Sequence, residues 1–184
     1  CQGSRIRRCG RNHKREFLKP CTCRNINAHH RGYLMDIYNL DRFVEAQNRV
    51  YGQVCSELKS GLKLTHWMWF VFPQIRGLGS SAMTIKYSIS SIEEAAEYLR
   101  HATLGTRLLE CSQLVTGHTD RTLKRILGAT DSVKFWSSMT LFAHASPDNQ
   151  VFTNALLKFF SGRFNQPTLD LLRKSSATGL NPVR

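Results

Sequence analysis

Apolar residues that recur at intervals of three and four constrain the fold of this chain more than any other feature. The clearest series lies between Asn39, a residue favoured at helix N-caps, and Gly61. It consists of Leu40, Phe43, Val44, Gln47, Tyr51, Val54, Cys55 and Leu58. This spacing places its members on one face of an amphipathic helix. No sustained alternation of apolar and polar residues and no Asn-Gly hairpin occurs, so the pattern favours an all-α fold.

Capping signals divide the rest of the chain into further helices. Ser91-Ile92-Glu93-Glu94 matches a capping box and predicts a helix through His101. The stripe from Leu104 to Val115 predicts another, which Gly117 closes. Other helices are expected from Ser80 to Tyr87, up to Gly128, from Asp131 to His144, from Ser146-Pro147 to Gly162, and from Pro167 onward. We therefore expect a single compact all-α domain of about eight helices with short connections.

The positive charge of the chain lies mostly outside this domain. The formal net charge is +13, of which residues 1–34 carry +8 and residues 173–184 carry +3. We interpret residues 1–34 as a disordered or non-native basic extension, 35–172 as the helical domain, and 173–184 as a basic C-terminal tail. Because the domain is nearly neutral, nucleic-acid binding is expected only through the basic tails.

Residues 1–34 leave three other interpretations open. Their cysteines and histidines could ligate zinc, although the Cys21-x-Cys23 spacing is not that of a usual zinc knuckle. Their arginine-rich composition could mark a transit peptide, and RIRR with HKR could form a basic patch for nucleic acid or nuclear import. None of these favours a metal or a cofactor in the domain itself.

Cysteine usage and hydropathy bear on the cellular compartment. Only Cys55 and Cys111 fall within the domain, at helical positions, which indicates reduced thiols and a cytoplasmic protein. The longest apolar run is Trp67 to Phe72, and it ends at Pro73. Six residues are too few to span a bilayer, so no membrane association through a spanning segment is expected.

The stretch HWMWFVFPQIRGLGSS, residues 66–81, contains the first group of candidate site residues. His66 could act as a general acid or base, or could be a structural histidine. Trp67 and Trp69 are two residues apart and cannot share a helix face, so one is expected in the core and the other against a planar ligand.

The second half of that stretch has the composition of an anion-binding turn. After Gln74, the residues Arg76-Gly77-Leu78-Gly79-Ser80-Ser81 lead into a helix, whose start would present unpaired N–H groups. Gln74, Arg76, Gly79 and Ser80 are therefore candidate ligand-binding residues, with Lys86 as support if it faces the same cavity as Arg76. A plain turn is the alternative, since the motif is neither a Walker loop nor a dinucleotide fingerprint.

The segment DSVKFWSSMTLF, residues 131–142, supplies the remaining candidates. On a helix Lys134, Ser137 and Ser138 lie on the same side as Leu141, and a buried lysine beside serines can assist serine attack. Ordinary capping and packing is the alternative. His101, His118 and His144 lie near expected helix ends, where a partial positive charge is favourable without any catalytic role.

The order of these motifs resembles domain-of-unknown-function family 1810, over about residues 36–172. The resemblance rests on HWMWF, FPQ, GLG, Tyr87, Tyr98-Leu99, Leu104-Gly105, Arg107-Leu108 and SSMTLF. It implies a mainly α-helical single domain and no established activity, catalytic residue or cofactor. Some members are labelled calpastatin, but calpain inhibitors of that name are disordered and repetitive, whereas this chain has a core.

Two functional hypotheses follow from the sequence. In the first, the domain binds or hydrolyses a small phosphate-bearing ligand, of nucleotide or ADP-ribose type, in an aromatic-lined pocket that contains the candidate residues. In the second, it is a non-enzymatic protein-interaction module with an exposed apolar patch. The sequence leaves open whether the protein is an enzyme and what its oligomeric state is.

Overall fold

The structure is a computed structural model that describes residues 36–178, with side chains through Ser175. The predictions for residues 1–34 and for the last residues of the C-terminal tail lie outside the described residues. Within this part the all-α prediction is confirmed, with ten helices where about eight were expected. They are α1 (Asp41–Asn48), α2 (Tyr51–Ser60), α3 (Met68–Val71), α4 (Ala82–Lys86), α5 (Ile92–Arg100), α6 (Ala102–Gly117), α7 (Leu123–Leu127), α8 (Ala129–Ala145), α9 (Gln150–Phe160) and α10 (Gln166–Thr178).

The predicted first helix is divided into α1 and α2. Its apolar period is continuous, but Val50 departs from helical geometry, with φ −132° and ψ 0°. The predicted N-cap is also wrong: Asn39 has a left-handed φ of 52°, and Leu40 is the cap residue. The Asp41 N–H instead donates to the carboxylate of Asp36 at 3.1 Å. Gly61 ends α2 in the left-handed conformation, as expected for a C-terminal glycine.

Several other caps differ from the predicted residues by one or a few positions. Ser91 caps α5 as predicted, because its hydroxyl accepts a hydrogen bond from the Glu94 N–H. At three other helices the prediction missed the N-cap residue, which is Ser81 for α4, Gly128 for α8 and Asn149 for α9. Short polar residues stand next to one another at these positions, so the sequence indicates the turn better than it indicates the capping residue.

Helices α6 and α8 form the centre of the domain. Helix α8 packs against α5, α7, α9 and α10, and α6 packs against α1, α2, α3, α5 and α9. Aromatic rings pack against α8, with Phe72 edge-on to Phe135 and Tyr98 of α5 tilted against Phe142. None of the described helices is both long and apolar enough to cross a membrane.

A loop of ten residues, 72–81, joins α3 to α4 and covers one end of α8. Ile75 anchors it, since this residue is 2% exposed and pairs with Ile89 in a single parallel bridge. The loop reverses at Gly77, whose φ of 103° suits glycine and few other residues. A side chain at this position would also meet Leu171 of α10 at 3.1 Å.

The carboxylate of Glu57 holds the turn that leads from α2 into the aromatic stretch. It accepts hydrogen bonds from the Leu64 N–H, the Thr65 N–H and hydroxyl, the Trp67 indole N–H and the Gln53 amide, at 2.7 to 3.2 Å. Burial raises the pKa of Glu57, but these donors outweigh it and lower the pKa from 4.5 to about 2. The folded structure therefore favours the ionised form of the Glu57 carboxylate.

Helices α5 and α6 meet at Gly105, where the backbones are too close for a side chain. A Cβ at this position would lie 2.0 Å from the carbonyl oxygen of Leu99. Gly117, at the other end of α6, has no atom within 4 Å of the equivalent point. The two glycines of one helix thus provide a matched pair.

We expect Gly105→Ala to lower the free energy of unfolding by about 2 kcal/mol or more, because the α5–α6 contact must open. Gly117→Ala should leave stability unchanged or raise it by about 0.5 kcal/mol, since alanine favours helix. Urea unfolding of both variants measures this. Equal effects of the two substitutions would contradict the close approach at Gly105.

We expect Glu57→Gln to destabilise the fold by about 3 kcal/mol near neutral pH, because a pKa lowered from 4.5 to about 2 corresponds to about that free energy. The folded pKa lies below the unfolded value, so the carboxylate stabilises fully above pH 4.5. That stabilisation is lost as the pH falls toward 2. In unfolding titrations, the difference between wild type and variant should shrink over this interval. A difference that does not change with pH would contradict the prediction.

Candidate functional site

A cavity of about 500 Å³ opens between one face of α8, the 72–81 loop and the turn that joins α9 to α10. We call it the Lys134 cavity. It is lined by Gln74, Leu78, Gly79, Thr84, Thr130, Val133, Lys134, Ser137, Asn165 and Pro167. Its volume is within the usual range for small-molecule sites. Four residues predicted as ligand-binding from sequence are therefore brought together: Gln74, Gly79, Lys134 and Ser137.

Four residues on one face of α8 form one wall of the cavity. Thr130, Val133, Lys134 and Ser137 stand three, four and seven residues apart, and such positions share a helix face. Thr130 and Val133 are exposed, whereas Ser137 is 2% exposed. The wall thus runs from an open mouth at the start of α8 to a buried end near its middle.

Lys134 is the charged residue of the lining, and its ammonium group already has two partners. It donates to the Asp131 carboxylate at 2.8 Å and lies 4.8 Å from the centre of the Trp69 ring. Lys63 pairs with the other oxygen of Asp131 at 2.7 Å. Burial raises the pKa of Asp131, but the two lysines outweigh it and lower the pKa. The three charges sum to +1.

Ser137 and Ser138 are adjacent in sequence but lie in different surroundings. Both are buried, at 2% and 0% exposure. The Ser138 hydroxyl has no hydrogen-bond partner and is the one fully enclosed unpaired side-chain oxygen or nitrogen among the described residues. Within the same residues the Ser137 hydroxyl also lacks a partner, but Ser137 lines the cavity. Of the two predicted serines, only Ser137 therefore lies where a ligand could reach it.

Asn165 was not among the sequence candidates, although it lines the cavity and is 5% exposed. Its Oδ1 accepts from the Thr168 N–H and hydroxyl, and its N–H donates to the Thr140 hydroxyl of α8 at 2.9 Å. Asparagine before Gln166-Pro167 has the pattern of an N-cap. That signal was available in the sequence, but it indicates a cap and says nothing of a cavity.

A small crevice beside the cavity contains the aromatic groups. It is lined by Trp69, Gln74, Thr84 and Tyr87, so it shares Gln74 and Thr84 with the Lys134 cavity. Trp69 is half-buried and Trp67 is 1% exposed. Trp67 is therefore the tryptophan in the core, and Trp69 is the one that lines the crevice.

The other predicted site residues lie elsewhere. His66 is exposed and does not line the cavity. The Trp67 indole donates to Glu57 at 2.8 Å, and Ser80 is exposed outside the lining. Arg76 lines a second cavity of about 320 Å³ together with Lys86. The two cations therefore face one cavity, as the anion hypothesis required, but it is not the cavity of Lys134.

Arg42 also lines that second cavity, but its guanidinium group holds the fold together. The guanidinium group of Arg42 donates to the carbonyl oxygens of Tyr38, Asn39, Lys86 and Ser88 and to the Glu94 carboxylate. Its donors are therefore occupied. Among the described residues, the Arg76 side chain has a single hydrogen bond, a long one of 3.5 Å from Nε to the Ser88 hydroxyl.

The other described histidines and both described cysteines lie outside the Lys134 cavity. His118 bonds the Leu58 carbonyl and His144 the Thr140 carbonyl, each near a helix C-terminus as expected. His101 ends α5 as expected and also caps α6, since its Nδ1 accepts from the Thr103 and Leu104 N–H groups. Cys55 and Cys111 are free, and burial raises the pKa of Cys111. No group of metal-ligating side chains occurs in the described residues.

Comparisons with known proteins point to relatives without an assigned activity. A family model described as a protein of unknown function, DUF1810, matches residues 37–172. The crystal structure of a conserved hypothetical protein, Rv1873 from Mycobacterium tuberculosis, is similar, with 50% sequence identity and a TM-score of 0.74. The match covers 75% of this chain and 99% of that one. No curated protein matches the chain.

We expect Ser138→Ala to raise the free energy of unfolding by about 1 kcal/mol, because it removes a buried hydroxyl that has no partner. The substitution keeps the Cβ and leaves only a small void. Thermal or urea unfolding against wild type measures the change. A loss of stability above about 1 kcal/mol would mean that this hydroxyl has a partner after all.

Proposed function

Since the chain belongs to the DUF1810 family of proteins of unknown function, we propose from its own geometry that it binds a small phosphate-bearing ligand, of nucleotide or ADP-ribose type. The binding site is the Lys134 cavity. The observation that carries the proposal is the Ser137 hydroxyl, which is buried, unpaired within the described chain, and on the cavity lining.

The Ser137 hydroxyl is open to the cavity, so a ligand there can form a hydrogen bond with it, which contributes about 0.5 to 1.5 kcal/mol net. Gln74 adds an amide to the same lining, and no hydrogen bond to its side chain occurs among the described residues. Polar groups that converge unpaired on a cavity with apolar walls are typical of ligand sites. Leu78, Val133 and Pro167 provide those apolar walls.

The charge of the cavity favours an anion. Lys134 stands in the lining, and the carboxylate beside it is shared with Lys63, so the group of three keeps one positive charge. Thr130 of the lining lies in the first turn of α8, where backbone N–H groups point toward an anion. A phosphate near Lys134 would therefore meet one full charge and the positive end of a helix.

Binding is better supported than hydrolysis. In the described residues neither a histidine nor a carboxylate lines the Lys134 cavity, and His66 lies outside it. Serine attack needs a base within hydrogen-bond reach of the hydroxyl. We therefore assign Ser137 a binding role, together with Gln74 and Lys134, and place the protein in the cytoplasm because both described cysteines are free.

One observation favours a protein-interaction module instead. Helix α4 has no buried residue, and Met83 and Ile85 are 37% and 58% exposed on it. A helix with exposed apolar side chains suits a docking surface. This helix borders the Lys134 cavity through Thr84, so ligand binding and docking involve neighbouring parts of the surface.

The test is a thermal-shift screen of the full chain against inorganic phosphate, nucleoside monophosphates and ADP-ribose. A ligand present at 100 times its dissociation constant should stabilise by about 2.7 kcal/mol. Lys134→Met should weaken the apparent affinity at least tenfold, because it removes the ammonium charge and keeps an unbranched side chain of similar length.

Lys59→Met is the matched control, since Lys59 is exposed on α2 and does not line the cavity. It removes the same charge from the whole molecule. If Lys59→Met and Lys134→Met weaken binding equally, the effect is one of net charge and the assigned site is wrong. If no probe shifts the wild type, the proposed ligand class is wrong.

A further inference from the structure

We infer that the Lys134 cavity orients its ligand, with Ser137 and Asn165 at the buried end binding an uncharged acceptor edge and Lys134 binding the phosphate nearer the mouth. The edge is that of a nucleobase or a carboxamide. This inference rests on the proposed function and specifies which part of the ligand enters first.

The Asn165 amide is fixed in one orientation by its neighbours. The Thr168 backbone N–H lies 3.1 Å from it and can only donate, so the atom it meets must be the oxygen. The same oxygen accepts from the Thr168 hydroxyl at 2.9 Å. The amide NH₂ is then left as a donor, and it makes no hydrogen bond within the described chain.

Ser137 and Asn165 belong to the same end of the cavity. The Asn165 backbone N–H donates to Thr140, which stands three residues after Ser137 and so on the same side of α8. Both residues line the cavity, and they are 2% and 5% exposed. Among the described residues, the Ser138 hydroxyl oxygen is the one unpaired side-chain oxygen or nitrogen that is fully enclosed. The unpaired Ser137 hydroxyl and Asn165 NH₂ group are therefore not fully enclosed, and both residues line the cavity.

This end of the cavity offers hydrogen-bond donors but no charge. Lys134 is the one charged residue among the lining residues described, and its side chain keeps 23% of its exposure. Burying an anion without a cation costs far more than burying an uncharged polar group. The deep position therefore suits a carbonyl or ring nitrogen, and the phosphate belongs beside Lys134.

Gln74 extends the same recognition. Its side chain carries both a donor and an acceptor, and an amide of this kind can bind a base edge through two hydrogen bonds. It lines the cavity and also the crevice that contains Trp69 and Tyr87. A planar group entering from the mouth would thus meet amides and a hydroxyl at its edge.

The experiment compares ligands that share a phosphate and differ in the group attached to it. The probes are ribose 5-phosphate, three nucleoside monophosphates (adenosine, guanosine and uridine) and nicotinamide mononucleotide, titrated calorimetrically against the full chain. At least one base-bearing probe should bind ten times more tightly than ribose 5-phosphate, a difference of about 1.4 kcal/mol.

Ser137→Ala and Asn165→Asp should each remove most of that tenfold difference. Asn165→Asp retains the oxygen that accepts from Thr168, so the turn is preserved. It replaces the NH₂ donor by an acceptor, which can no longer donate a hydrogen bond to the acceptor edge of the ligand. Ser138→Ala is the control, since Ser138 neighbours Ser137 but does not line the cavity. Circular dichroism verifies that each variant is folded.

The outcomes separate the inference from the proposed function. If all base-bearing probes bind no more tightly than ribose 5-phosphate, and Lys134→Met still weakens them, the inference is wrong and the proposed function stands. If a base-bearing probe keeps its advantage in both variants, the inference is also wrong. If no probe binds the wild type, the proposed function itself fails. A loss of the advantage in Ser137→Ala and Asn165→Asp but not in Ser138→Ala supports the inference.

Discussion

The carboxylate of Glu57 is the interaction on which the arrangement of the site depends. It gathers donors from the turn after α2, and one of them is the indole of Trp67. With Trp67 fixed in the core, α3 begins at the next residue and places Trp69 on the opposite side, under Lys134. The buried carboxylate of Glu57 therefore holds Trp67 in the core, while Trp69 lines the crevice beside the cavity.

Three segments of the chain form the walls of the Lys134 cavity. Helix α8 supplies one straight wall, while the loop that follows α3 and the turn before α10 supply the others. The loop is held by the pairing of Ile75 with Ile89, and the turn by the bonds of Asn165 to Thr140 and Thr168. The Gln74 amide and the Asn165 NH₂ group make no hydrogen bond within the described chain and remain unpaired on the cavity lining.

Local signals in the sequence predicted the fold class and four of the ten residues that line the Lys134 cavity. Periodicity identified the helices, and the polar groups set in aromatic segments identified Gln74, Lys134 and Ser137. Which of two neighbours faces a cavity is a matter of helix rotation and tertiary packing, so Trp67 and Ser138 could not be told from Trp69 and Ser137. Asn165 was missed because capping explains it fully, and Arg76 was grouped with Lys134 although the loop turns at Gly77 between the two cavities.

The ion pair between Lys134 and Asp131 has a consequence for selectivity. Asp131 is an internal competitor for the ammonium group that any external anion needs, and Lys63 can keep the carboxylate satisfied when Lys134 turns away. Under the proposed function, a ligand with further contacts along the wall of α8 would outcompete the Asp131 carboxylate, so this counter-ion of the protein would select against simple anions.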